Sequence, residues 1–329
     1  MTTTPVTSVG VSALVLALGL TSVTAHADTA PPPEEATPPA AAPAPPPAPY
    51  SLPFQMRPAA AVTVLRLDST YALYDVPSPT AADPERTEGA STLVSTLLFS
   101  YKVTDYLAPF VRAGVVSNSP PVGDSFTGLT NVALGAMYGG KFGTDFRYSA
   151  TLGVALPTGS GGGNSPEPEA GAARGAGIAA RAGMDNALFA ANDLVIFPGF
   201  DLAYVAGGLT VQGEVTLLQL TQVKGDERAQ PDDSRTNLTT GLHVGYFVIP
   251  ELSLAAELRH QRWLSTPTQV EKLGEELRDT TTVAIGPRAH IPLGEKRFLR
   301  PAITFAMPLD KPLTDTDHKL IQLDIPFLF

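Results

Sequence analysis

Three features of the sequence predict an all-β fold, a single antiparallel transmembrane β-barrel of about twelve strands over residues 58–329. The first is a succession of segments, each about ten to fifteen residues long, rich in Val, Leu, Thr, Tyr and Phe. The second is a strict alternation of tight, turn-forming links with longer polar connections. The third is the ending, where Ile321, Leu323, Ile325, Phe327 and Phe329 alternate with Gln322, Asp324, Pro326 and Leu328. A period of two gives that segment one apolar edge and one partly polar edge.

Composition narrows the class. Charged residues make up 16% of the 329 positions, yet mean hydropathy is near neutral at +0.08. That combination suits a chain whose outside meets lipid while its inside stays polar. Beyond residue 30 no run of eighteen apolar residues occurs, which argues against membrane-spanning helices. A net charge of −10 argues against a nucleic-acid partner. With no cysteine there is no disulfide, thiolate metal site or lipid-attachment thiol. The five histidines lack metal-ligand spacing, and no motif asks for a cofactor.

Residues 1–27 read as a signal peptide. Residues 9–20 are a short apolar core, and Ala25-His26-Ala27 is a small-x-small cleavage site, although residues 1–8 carry no Lys or Arg. The alternative is an uncleaved anchor helix. Residues 28–57 read as a disordered periplasmic tail rich in Pro and Ala, extended in polyproline II fashion where prolines dominate. Such a tail serves either as a spacer to the cell wall or as a leader with no binding role.

Strands are expected at 60–75, 90–104, 106–117, 128–141, 145–156, 194–206, 209–222, 235–248, 251–264, 280–292, 297–308 and 319–329. Thr104-Asp105, Gly143-Thr144, Gly207-Gly208, Ile249-Pro250 and Gly294-Glu295 supply the tight links. Longer connections fall at 76–89, 118–127, 157–193, 223–234, 265–279 and 309–318. Phasing puts Leu238, Leu242, Val244, Tyr246 and Val248 outside, with Asn237, Thr239, Gly241, His243 and Gly245 inside. Likewise Leu252, Leu254 and Leu258 face out, leaving Glu251, Ser253, Glu257, Arg259 and Gln261 in the lumen. Tyr106, Tyr138, Phe142, Phe146, Tyr148, Tyr246, Phe298 and Phe329 collect near the tight links, where an aromatic girdle is expected.

A last strand ending on Phe327 and Phe329 resembles the assembly signal of bacterial outer-membrane β-barrel proteins. The resemblance implies recognition of that strand by the barrel-assembly machinery. It also implies contact with outer-membrane lipid and lipopolysaccharide, and both termini on the periplasmic side. The segment Gly153-Val-Ala-Leu-Pro-Thr-Gly-Ser160, ahead of a large loop, resembles outer-membrane channels of phenol degradation by the meta pathway. That likeness implies uptake of small solutes, aromatic ones among them.

The same phasing sends charges of both signs inward: Arg66, Lys102, Arg112, Arg259, Arg288 and Arg300 against Asp68, Asp201, Glu214, Glu257 and Asp324. They form either a selectivity lining or a self-satisfied network filling a narrow barrel. The connection 157–193 is either a fold-in constriction, with Arg174, Arg181 and Asp185 at the eyelet, or a mobile external loop. No nucleophile motif accompanies His260, so the sequence gives no case for an outer-membrane hydrolase. The expected function is a passive channel for small solutes. The alternative is a closed structural or adhesive barrel acting through its loops or tail.

Overall fold

A computed structural model describes residues 49–77, 87–165, 167–226 and 230–329. The signal segment, most of the Pro/Ala tail and the tip of the first long connection lie outside these residues. Strands β1 (Val64–Pro77), β2 (Thr87–Ser100), β3 (Leu107–Ser119), β4 (Phe126–Leu129), β5 (Val132–Phe142) and β6 (Phe146–Leu156) come first. Helices α1 (Pro168–Ala180) and α2 (Asn186–Phe189) follow within one connection. Then come β7 (Asp193–Ala206), β8 (Leu209–Gln222), β9 (Ser234–Ile249) and β10 (Leu252–Trp263). After a short helix α3 (Thr268–Leu273) the chain ends with β11 (Asp279–Ala289), β12 (Ile291–Pro292), β13 (Phe298–Leu299), β14 (Ala302–Pro308) and β15 (Lys319–Leu328).

Twelve of these strands pair antiparallel with their neighbours, and β15 returns to pair with β1, from Val64 opposite Leu328 to Leu73 opposite Lys319. The sheet is therefore a closed barrel with no free edge. The other three strands are accessories. β4 folds back onto β3, and the β12–β13 hairpin extends the wall at the short-turn end. Pro301 separates β13 from β14 because proline has no N–H to give the ladder. Gly207 and Gly208, at φ 57° and 85°, make the two-residue β7–β8 turn, which needs positive φ at both central positions.

The outside follows from the alternation. Leu67, Leu97, Leu134, Leu152, Leu254 and Ile303 on successive parts of the wall are all exposed. Exposed apolar side chains on so many strands form a continuous surface that suits lipid and not water. At the short-turn end Tyr106 stacks near Tyr138 (6.0 Å between centroids), Phe142 on Phe146 (4.9 Å), and Phe327 on Phe329 (5.2 Å). This is the aromatic girdle expected at a membrane interface.

The inside departs from expectation in three ways. It is not polar throughout: Val94, Val116, Leu220 and Leu320 face inward under α1 and α2 and pack with Leu188 and Phe189. Residues 50–57, assigned by composition to the tail, instead run inside the barrel, where Tyr50, Leu52, Phe54 and Met56 are buried. Residues 168–180, within the connection 157–193, form a helix. Pro168 starts it and Glu169 sits in its first turn, while its buried face is Ala170, Ala173, Gly177 and Ala180. These small residues let the helix lie close to the wall, and a Cβ on Gly177 would run into the Phe189 ring.

A charge on the outer wall tests the assignment of faces. Leu323, 42% exposed at the middle of β15, would meet the centre of a bilayer. Leu323→Arg is expected to destabilise the barrel in lipid vesicles by about 2–4 kcal/mol. An unfolding midpoint equal to that of the parent would contradict a lipid-facing wall.

Candidate functional site

The lumen is entered from both ends by its own chain. At the short-turn end, residues 50–62 fold inward, and a buried irregular segment leaves backbone groups that need partners. Strand-borne side chains supply them. Glu257 accepts the amides of Phe54 and of Gln55 (3.1 Å). Arg66 donates to the carbonyls of Pro53 (3.0 Å) and Phe54, and Arg288 to that of Pro53 (3.0 Å). Both guanidiniums also reach Asp324 at 2.6 Å. The segment brings its own groups too: the Tyr50 hydroxyl donates to Gln212 at 2.5 Å, and Arg57 lies 3.5 Å from Asp201 and 3.6 Å from Glu214.

At the long-loop end, α1, α2 and the turn between them fill the opening. Arg181 is only 1% exposed. Its guanidinium donates to both oxygens of Asp68 (2.9 and 2.7 Å), to the Thr70 hydroxyl (2.9 Å) and to Asp185 (2.7 Å). Arg112 donates to both oxygens of Asp185 at 2.9 and 3.0 Å. Burial pushes the Asp185 carboxyl up, but the Arg112 and Arg181 guanidiniums outweigh it and hold the group well below the usual carboxylate range. The Asn131 amide clamps α2 by donating to the carbonyls of Ala187 (3.0 Å) and Ala190 (2.8 Å). Planar, bidentate guanidinium–carboxylate pairs fix geometry as well as charge.

Between the two inward segments remains a cavity of about 150 Å³. Met56 and Pro58 border it on one side, Met184 and Leu188 on the other. Apolar wall comes from Phe110, Met137, Phe197 and Leu218, and charged wall from Arg66, Asp68, Arg112, Glu214 and Arg259 among others.

Arg66, Arg112, Glu214, Glu257, Arg259, Arg288 and Asp324 thus all point into the barrel, most of them already committed to partners. Arg300 lies inside the rim, over the Phe298 ring and 3.5 Å from the Tyr50 carbonyl. Lys102 does not reach the lumen. β2 ends at Ser100, leaving Lys102 on the exposed turn, paired with Asp105 at 3.1 Å. Glu251 is likewise exposed, one residue before β10 begins. Of the three eyelet residues, Arg181 and Asp185 meet, whereas Arg174 sits elsewhere on α1, close to Gly161. His260 faces Thr281 (3.0 Å), while the Ser265 hydroxyl accepts the Thr236 amide, so the two do not meet. Among the described residues no group of side chains has the makings of a metal site.

The sequence reading did not place Tyr50 and Arg57 in the lumen. The signal for them was present in the apolar residues Leu52, Phe54 and Met56, which have no reason to occur in a solvated tail.

A closed twelve-strand barrel with an apolar belt and an occupied lumen, part apolar and part charged, has the fold of an outer-membrane β-barrel. A solved structure of an outer-membrane channel from Pseudomonas putida F1 superposes with a TM-score of 0.53 at 14% identity, covering 84% of this chain and 98% of that one. The NanC porin matches at a TM-score of 0.44 and 10% identity over 80% of this chain and 98% of its own. For the KdgM porin the values are 0.41 and 9%, over 79% and 99%. No protein-family model matches the sequence, and no curated protein does.

Two outcomes follow from the Asp68–Arg181–Asp185–Arg112 cluster. Arg181→Met leaves the buried Asp68 and the half-buried Asp185 short of a partner and should cost roughly 3 kcal/mol, the low end for a broken buried pair because Arg112 stays within reach. Reversible urea unfolding in vesicles reads this, and an unchanged midpoint would contradict it. The second concerns pH. A depressed carboxyl contributes stability that is fully present above its unfolded pKa of about 3.9 and is lost only as pH falls below that. Hydrogen exchange of residues 181–189, corrected for intrinsic rates, should therefore be constant from pH 8 to pH 5. Faster exchange at pH 5 would contradict the pairing.

Proposed function

We propose that the protein is a channel of a bacterial outer membrane that lets small solutes diffuse down their gradients. The observation that carries this reading is the chamber. A barrel built only as a wall gains nothing from keeping a cavity beside buried charges, which are costly unless paired. Here two inward segments close the lumen through ion pairs and hydrogen bonds on either side of that space. In this reading residues 1–27 direct export, the Pro/Ala tail lies in the periplasm beside the cell wall, and the Phe327–Phe329 ending serves the assembly machinery. The outer belt meets lipid, and the long connections face lipopolysaccharide.

The occupied lumen favours a second reading, a closed barrel acting through its external loops or tail. Liposome swelling separates the two. Replacing residues 165–190 by a short Gly-Ser link should speed the entry of small neutral solutes several-fold over the parent. Swelling as slow as that of empty liposomes, from barrels that still show a heat-dependent gel shift, would support the closed reading.

A further inference from the structure

Arg259 stands out on the chamber wall. It is 7% exposed and lines the chamber, yet among the described residues it has neither an ion-pair partner nor a side-chain hydrogen bond. Its neighbours are occupied. Glu257, the next inward residue on β10, accepts the Phe54 and Gln55 amides and faces His243 at 3.3 Å. The other guanidiniums on the chamber wall are committed: Arg57 to Asp201 and Glu214, Arg66 to Asp324, and Arg112 to Asp185. Across from Arg259 on β9 is Gly241, and Met56 packs where a Cβ would be, so no acceptor projects from that strand position.

The chamber wall carries four guanidiniums (Arg57, Arg66, Arg112 and Arg259) against three carboxylates (Asp68, Asp185 and Glu214). Asp201 and Asp324 answer Arg57 and Arg66 from outside that wall, so what sets Arg259 apart is not a surplus of charge but the lack of a hydrogen-bonded acceptor. A guanidinium that faces a small chamber with unused donors is a ready site for a ligand carboxylate, which accepts two parallel hydrogen bonds from it. Size sets the rest of the ligand. An apolar cavity of about 150 Å³ is large enough to take benzene, and Phe110, Phe197, Met137 and Leu218 provide apolar wall here.

We propose that the chamber is a binding site for a small monocarboxylate with a ring-sized apolar body, its carboxylate held by Arg259. The inference deepens the channel reading by naming a solute class, and it rests on that reading only for how the solute arrives. Benzoate is the probe. Equilibrium dialysis with the full chain in detergent needs no conduction, so failed binding and failed permeation are separate results. Benzoate should bind saturably, one per chain, at least tenfold more tightly than benzyl alcohol or benzylamine. Arg259→Met should abolish that preference and Arg259→Lys should retain part of it, with the heat-dependent gel shift reporting folded barrel in each. Equal binding of benzoate and benzyl alcohol would overturn the proposal. So would benzoate binding undiminished in Arg259→Met, or displaced in full by chloride at equal concentration.

Discussion

Pairing of β1 with β15 is the contact on which the rest of this structure depends. In hydrocarbon an unpaired backbone N–H or C=O costs several kcal/mol, so a sheet there must close on itself. The ten paired positions from Val64–Leu328 to Leu73–Lys319 achieve that closure. Closure then dictates where side chains go. Once the apolar residue of each pair of positions is committed to the outside, the polar and charged residues between them have only the lumen. Charges confined there must find partners inside the barrel. The chain meets that demand partly with wall-to-wall pairs and partly by folding two of its own segments into the space.

The inward segments and the lumen charges satisfy one another. Residues 50–62 bring backbone amides and carbonyls that Glu257, Arg66 and Arg288 complete, and Arg57 enters with them to face Asp201 and Glu214. From the other end Arg181 and Asp185 complete Asp68 and Arg112. Each charge is therefore both a lining residue and a structural one. Of the two readings that the charge count alone leaves open, the structure shows the pairing of a self-satisfied network on these side chains. Arg259 is where the network stops short, and it does so beside the chamber that the segments leave.

The wall was legible in the sequence because a period of two is local: β9 and β10 take the predicted faces, apart from Glu251 at a turn. Connection lengths were legible because glycine and proline mark turns chemically. What the sequence hid was anything that depends on the lumen's volume. Residues 50–57 look like the end of a Pro/Ala tail until the barrel exists to receive Leu52, Phe54 and Met56. Residues 168–180 carry three glycines, which lower helix propensity. The helix forms because its small face fits the wall, a tertiary reason invisible to a propensity reading. Lys102 was placed inside by running the strand to residue 104, past its end at Ser100, so that the alternation was carried on into a turn.

The most direct test is single-channel conductance of the refolded full chain in a planar bilayer, with the reversal potential measured across a salt gradient. The account predicts small, discrete current steps separated by long closed intervals, and a reversal potential of the sign for anion preference, as expected of a chamber lined by a guanidinium that has no hydrogen-bonded acceptor. Silent bilayers from barrels that show the heat-dependent gel shift would contradict the claim that the lumen conducts. Cation preference would contradict the charge assigned to its centre.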